Sequence, residues 1–162
     1  VFRNSMPMII RPAINTDSEQ LIQIIDDTYQ EYGDRICLEG AESDLTDIEY
    51  HYQLPDAAFV VVELDAEIIG CHAVKRVEAD KFTFKRLYVR SDKRGCGAGD
   101  ILFEWGLKTA IELGADEVEF WSDVRFVRAH RFFEKFGFVK GPKRAMEDSY
   151  HPYSEYRFTR KF

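Results

Sequence analysis

The chain has 162 residues, 45% of them hydrophobic and 31% charged, long enough to bury a substantial core without a metal or disulfide staple. No apolar run reaches membrane-spanning length, no secretory pattern opens the chain, and a net charge of −7 makes nucleic acid a poor partner. Cys37, Cys71 and Cys96 are isolated thiols without CxxC spacing, which argues against a disulfide framework or a zinc site and suits a reducing cytoplasm.

Residues 1–7 contain Met6 and are read as a cloning remnant or a disordered lead, leaving 8–162 as one domain. Met8 to Ala13 predicts a first strand. Thr16 or Asp17 caps a helix to about Tyr32, with Leu21, Ile24, Ile25 and Tyr29 at helical spacing and Gly33 as its stop. A loop over 34–43 precedes a short helix near Asp44 to Tyr52. Ala58 to Leu64 and Glu67 to Val77 form strands joined by an Asp65-Ala66 turn.

Phe82 to Val89 is the next strand, and its alternation breaks. Phe82 and Phe84 fall on one parity, Leu87 and Val89 on the other. A one-residue phase change predicts a bulge that splays the sheet, or a strand that changes neighbours midway. Ile101 to Leu113 predicts a helix with Phe103, Leu107, Ala110 and Ile111 on one stripe. Val118 to Trp121 is a strand, and Ser122 or Asp123 caps a helix through Phe136. Strands at Phe138-Val139 and over 156–162 close the chain. The order β-α-α-β-β-β-α-β-α-β-β predicts an α/β (α+β) fold, a mixed sheet with helices on both faces.

Charge is unevenly distributed. Residues 1–50 carry eleven acids and three bases, whereas Lys85 to Arg94 holds five bases in ten positions. That basic stretch runs into Arg94-Gly95-Cys96-Gly97-Ala98-Gly99, between a strand and a helix. Glycines let backbone approach an anion, and the unpaired N–H groups of a helix start bind it, so this loop predicts a pyrophosphate cradle. Asp100 breaks the GxGxxG dinucleotide fingerprint, and no GxxxxGK[ST] loop occurs.

Leu87-Tyr88-Val89 followed by Arg94, Gly97 and Gly99, together with the AHRFFEKFGF segment over 129–138, resembles the GNAT superfamily of acyl-CoA-dependent N-acetyltransferases, over about Ile9 to Phe158. The resemblance implies a mostly antiparallel sheet of six to seven strands and acetyl-CoA as co-substrate, with an amine acceptor and no metal. It implies that the backbone of Leu87, Tyr88 and Val89 pairs with the pantetheine arm. The amides of Gly95, Cys96, Gly97, Ala98 and Gly99 would hold the pyrophosphate, with charge from Arg94 and Arg128. Phe132 and Phe133 would line the groove. Tyr29, Tyr32, Glu42 and Asp44 fall in the region that covers the acceptor in the family, and the C-terminal strand is of a kind that permits homodimers.

The chain departs from the family at the catalytic acid. Phe133 stands where many relatives carry tyrosine, Phe126 replaces a usual asparagine, and Thr83 replaces a glutamate found in some. Asp123 and His130 remain as candidates for proton transfer, with Tyr150 and Tyr153 as late-chain donors; helix capping explains Asp123 equally well. The expected activity is acetyl transfer from acetyl-CoA to a primary amine by direct attack through a tetrahedral intermediate. The acidic first third points to a cationic small molecule. The alternatives are a non-catalytic acyl-CoA-binding or sensor module, and an interaction domain built on the acidic region.

Overall fold

The computed structural model describes residues 7–162; the expectation of an N-terminal remnant lies, but for Pro7, outside the described residues. Along the chain run β1 (Ile9–Pro12), α1 (Ser18–Gln30), α2 (Ile48–His51), β2 (Ala57–Leu64), β3 (Glu67–Glu78), β4 (Lys81–Val89), α3 (Ala98–Glu112), β5 (Glu117–Asp123), α4 (Val127–Lys135), β6 (Val139–Met146) and β7 (Tyr153–Lys161). The seven strands form one sheet in the order β1-β2-β3-β4-β5-β7-β6. Every pair is antiparallel except β4 with β5.

Alternation along β2 distributes side chains to two cores. Phe59 and Val61 join Leu21, Ile25 and Ile48 on the α1 and α2 face, while Val60 and Val62 meet Leu102 of α3 on the other. Phe103 and Ala110 of α3 and Phe133 of α4 pack with Phe82, Phe84, Phe120 and Phe158 beneath them. The β2–β3 turn takes left-handed backbone at Asp65 (φ 54°) and Ala66 (φ 63°), the geometry of a two-residue hairpin turn.

Three local readings are corrected. Neither Thr16 nor Asp17 caps α1 with its side chain. The Asp17 carboxylate reaches back to the Ile14 N–H (2.9 Å) and grips Arg11 (2.7 and 2.8 Å), tying β1 to the helix start. Asp123 ends β5 rather than capping α4, which begins at Val127 without a side-chain cap. Asp123 is drawn instead to Arg125, whose N–H and guanidinium it accepts. Ile111, placed on the apolar stripe of α3, is half exposed; fully buried Leu102 takes the inner face with Phe103.

The phase change in β4 is a bulge. Tyr88 pairs with Cys71 and Lys85 with Ala73, so Arg86 and Leu87 together oppose His72. Arg86 has φ 59°, a left-handed conformation that costs a non-glycine residue about 1–2 kcal/mol. On its other side β4 pairs with β5 only at Lys81–Glu117 and Phe82–Val118. Among the described residues that edge has no strand partner from Thr83 onward, and the sheet opens there.

Candidate active site

Two cavities flank the open edge and share Leu87, Tyr88, Phe126 and Ala129 as walls. The first, about 530 Å³, runs along the glycine loop. It is lined by Leu87, Tyr88, Val89, Arg94, Gly95, Gly97, Ala98, Gly99, Arg128 and Phe132, with Thr28 and Tyr32 from α1. The second, about 260 Å³, lies between the parted strands.

The loop is open toward the first cavity. Gly97 is the N-cap of α3 with φ 93°, and Gly95 has φ 83°. A Cβ at either position would meet nothing within 4 Å, and one at Gly99 would reach only ordinary contact with Phe132 and Val89. Among the described residues the N–H groups of Gly95, Gly97, Ala98 and Gly99 have no acceptor, while Cys96 donates to the Lys93 carbonyl (3.4 Å). Free N–H groups at the positive end of a 15-residue helix attract an anion. Cys96 is exposed and lines neither cavity.

The five bases upstream do not act as one patch. Arg86 is turned to Asp44, Arg90 to Asp92 and Glu67, and Arg94 to Glu31 through two bonds of 2.8 and 3.1 Å. Lys93 lines the loop cavity and forms no ion pair among the described residues. The long-range acid partners could not be read from local spacing.

The second cavity gathers Tyr29, Glu42, Asp123 and Phe133 from the expected set. The Tyr29 hydroxyl donates to Glu42 Oε1 (2.9 Å) and receives the Tyr88 hydroxyl (3.2 Å). Glu42 Oε2 accepts the Cys37 N–H (2.8 Å). Burial pushes the Glu42 carboxyl above the usual carboxylate range and the Tyr88 phenol up to about 12. Phe133 is buried against Phe103, Phe120 and Phe158, so its ring belongs to the core as well as the cavity wall. Tyr32 faces the first cavity and packs on Phe126.

Besides Cys96, two expected residues stand elsewhere. Asp44 lines neither cavity; it accepts Arg86 at 2.6 and 3.1 Å and the Tyr52 hydroxyl at 2.5 Å. Burial alone would raise its carboxyl, but the Arg86 guanidinium outweighs burial and holds it below the ordinary range. His130 is buried outside both cavities, against Tyr156 and Phe158, with Nε2 3.2 Å from the Ser122 hydroxyl. Burial lowers its proton affinity. A helical position opposite β7, not the groove, decides its surroundings.

The far wall comes from the β6–β7 hairpin and carries residues that sequence reasoning did not place. Arg144 stacks on Trp121 (4.0 Å) and bonds Glu155 (3.0 and 3.1 Å), and Tyr153, named only as a late-chain donor, gives its hydroxyl to Asp148 (2.6 Å). The hairpin loop meets the α1–α2 segment backbone to backbone. The Ala41 N–H donates to the Asp148 carbonyl (2.9 Å), and a Cβ at Gly40 would overlap that same oxygen. Arg35 lies 3.8 Å over the Tyr150 ring, reinforcing the contact. These two segments roof the second cavity. Among the described residues no group of three His, Cys, Asp or Glu side chains is arranged to hold a metal, and no helix is long and apolar enough to cross a membrane.

The arrangement has counterparts. An acetyltransferase of the GNAT family from Staphylococcus aureus Mu50 superposes with a TM-score of 0.80 at 19% identity, over 96% of this chain and 99% of that one. PaiA N-acetyltransferase from Thermoplasma acidophilum, solved in complex with coenzyme A, gives 0.71 at 19% identity, over 97% and 100%. The yncA structure from Salmonella typhimurium, solved with its cofactor acetyl-CoA, gives 0.74 at 14% identity, over 96% and 94%. A search of curated protein sequences finds no match. The sequence model of the acetyltransferase (GNAT) family matches residues 19–138, which include the opened strand and the glycine loop; the chain belongs to the GNAT acetyltransferase family.

Proposed function

We propose that the protein moves an acetyl group from acetyl-CoA to a primary amine, and that the acceptor is a small cationic molecule. The observation that carries this reading is one continuous geometry: unpartnered loop amides at the start of α3, followed by an unpaired edge of β4 leading into a second cavity. The co-substrate supplies an activated thioester. Loop amides and Lys93 bind its diphosphate, and the free β4 edge past the bulge offers backbone groups to the amide-bearing arm. A main-chain N–H at the opening steadies the oxyanion as the amine attacks and the tetrahedral intermediate forms.

The charge of the second cavity supports a cationic acceptor. Its wall includes Glu42, Asp123, Asp148 and Glu155. Arg125 engages Asp123, Arg144 engages Glu155, and Arg86 is held by Asp44; Lys85 and Arg86 also line the wall. Glu42 and Asp148 form no ion pair among the described residues, so an ammonium group entering between them meets two carboxylates that no cation contacts directly.

Gly97→Val is expected to weaken acetyl-CoA binding at least about 100-fold, or about 2.7 kcal/mol, measured by calorimetry. A β-branched residue is strained at φ 93°, and its methyl groups would stand in front of the loop amides. Wild-type affinity in this variant would place the diphosphate elsewhere. Glu31→Gln is expected to act in the opposite direction. The pair it forms with Arg94 is partly exposed and worth about 0.2–1 kcal/mol, so releasing Arg94 toward the diphosphate should tighten binding by up to about fivefold. Unchanged affinity would mean that Arg94 does not serve the co-substrate.

Phe133, which has no proton to give, favours a second reading as a non-catalytic acyl-CoA sensor. Amine-dependent release of the coenzyme thiol across an amine panel separates the two: turnover excludes the sensor, and binding without turnover excludes the transferase.

A further inference from the structure

We propose that Glu42 receives the proton of the acceptor ammonium and that Tyr29 is the positioning residue that orients it. This inference rests on the acetyl-transfer reading and assigns the base within it.

Among the carboxylates of the second cavity, Glu42 alone is both buried, at 2% exposure, and free of an ion pair among the described residues. Asp123 has both oxygens on Arg125, Glu155 bonds Arg144, and Asp148 is exposed and accepts the Tyr153 hydroxyl. Glu42 holds its place through two neutral donors, the Tyr29 hydroxyl on Oε1 and the Cys37 N–H on Oε2. Each carboxylate oxygen keeps a lone pair, so the group can still accept a proton without breaking its supports. The groups around it come from every neighbouring element: Tyr29 from α1, Cys37 from its own segment, Arg86 and Tyr88 from β4, and Asp148 and Tyr153 from the β6–β7 hairpin. Burial leads the balance and leaves the carboxyl more basic than an exposed glutamate, closer to the range useful for proton transfer near neutral pH.

The step balances as follows. One N–H bond of the ammonium breaks and its proton bonds to a Glu42 oxygen, leaving a lone pair on nitrogen. That pair attacks the thioester carbonyl, the C–S bond breaks, and a second nitrogen proton passes to the departing sulfur. The products are an amide and the coenzyme thiol, and Glu42 returns its proton to solvent.

The test uses the full chain with acetyl-CoA and a panel of spermidine, kanamycin and lysine amide, following thiol release from pH 5.5 to 10. In Glu42→Gln, kcat at pH 7 is expected to fall about 100-fold with acetyl-CoA affinity unchanged. The deficit should shrink toward the amine pKa of about 10, where free base arrives without help. Tyr29→Phe keeps the carboxylate but removes a bond favouring its charged form, so the acid limb should move to higher pH, a change that a purely structural role would not produce. Glu42→Asp should retain a titrating acid limb at reduced kcat, and it carries the test if Glu42→Gln does not fold. An active wild type whose Glu42→Gln profile runs parallel to it, or a Tyr29→Phe acid limb that stays in place, overturns the assignment. A wild type that binds acetyl-CoA and turns over no amine overturns the transferase reading instead.

Discussion

Arg86→Met is expected to lower the free energy of unfolding by about 3–5 kcal/mol, the usual cost of leaving a buried charge without its partner. Arg86 donates twice to Asp44 and once to the Ala41 carbonyl, and the side chains of the pair are only 9% and 11% exposed. Methionine fills the length of the stem but removes every donor. Asp44 is then left with the Tyr52 hydroxyl alone, and the left-handed bulge loses the contacts that hold it. Urea unfolding at pH 7 measures the loss, and a loss below about 1 kcal/mol would show that the pair is not structural. Because the folded Asp44 carboxyl is depressed below its unfolded value, its contribution is fully present above the ordinary carboxylate pKa of about 3.9 and is lost as pH falls through the folded value. The difference between wild type and Arg86→Met should therefore narrow in strong acid.

His72 should govern stability at milder acidity. It is fully buried opposite the bulge and ringed by Phe84, Phe103 and Trp105. Its Nδ1 lies 3.2 Å from the Lys85 carbonyl, which requires the Nδ1–H tautomer, and Nε2 has no partner among the described residues. Gly106 makes room for that nitrogen; a Cβ there would come within 2.6 Å of it. Burial pushes the imidazole down to about 3, whereas the unfolded chain holds it near 6.5. The folded state thus resists protonation, and the stability it confers is complete above pH 6.5 and lost as pH falls toward 3. At about 1.4 kcal/mol per tenfold change in proton affinity, the loss across that window is roughly 5 kcal/mol. His72→Asn keeps a donor for the Lys85 carbonyl and removes the titrating ring, so the slope of stability from pH 6.5 to about 4.5 should shrink to what is left by the buried His130 and the raised carboxyls of Glu42 and Glu155. An acid limb identical to that of wild type would locate the sensitivity in another group.

Element order was legible because hydrophobic period and punctuation agree along most of the chain. The phase change between Phe84 and Leu87 announced the bulge, and the glycines before Ile101 marked a helix start. Where reading failed, the cause was a competing partner. Asp17 and Asp123 have cap-forming side chains, but Arg11 and Arg125 offer them charged bonds that a helix amide cannot match. Gly141 and Pro142 hid most of β6, since a proline interrupts a pairing pattern and is tolerated because β6 is an edge strand. The second cavity was the least legible region. Glu42 with Tyr29, Arg86 with Asp44 and Arg125 with Asp34 join different elements, and no local periodicity specifies which acid meets which base. Phe133 shows the limit from the other side: its helical face marks it as core, and only the splayed strands make that same ring a cavity wall.

The junction of Gly40 with Asp148 has an evolutionary corollary. Both stretches roof the second cavity, yet they lie far apart in the sequence, and their backbones touch too closely for either to drift alone. Shifts in acceptor preference should therefore travel as paired changes. Grafting one stretch from a relative without the other should give strongly epistatic outcomes, while the glycine-loop cavity, which takes no residue from either stretch, should be unaffected.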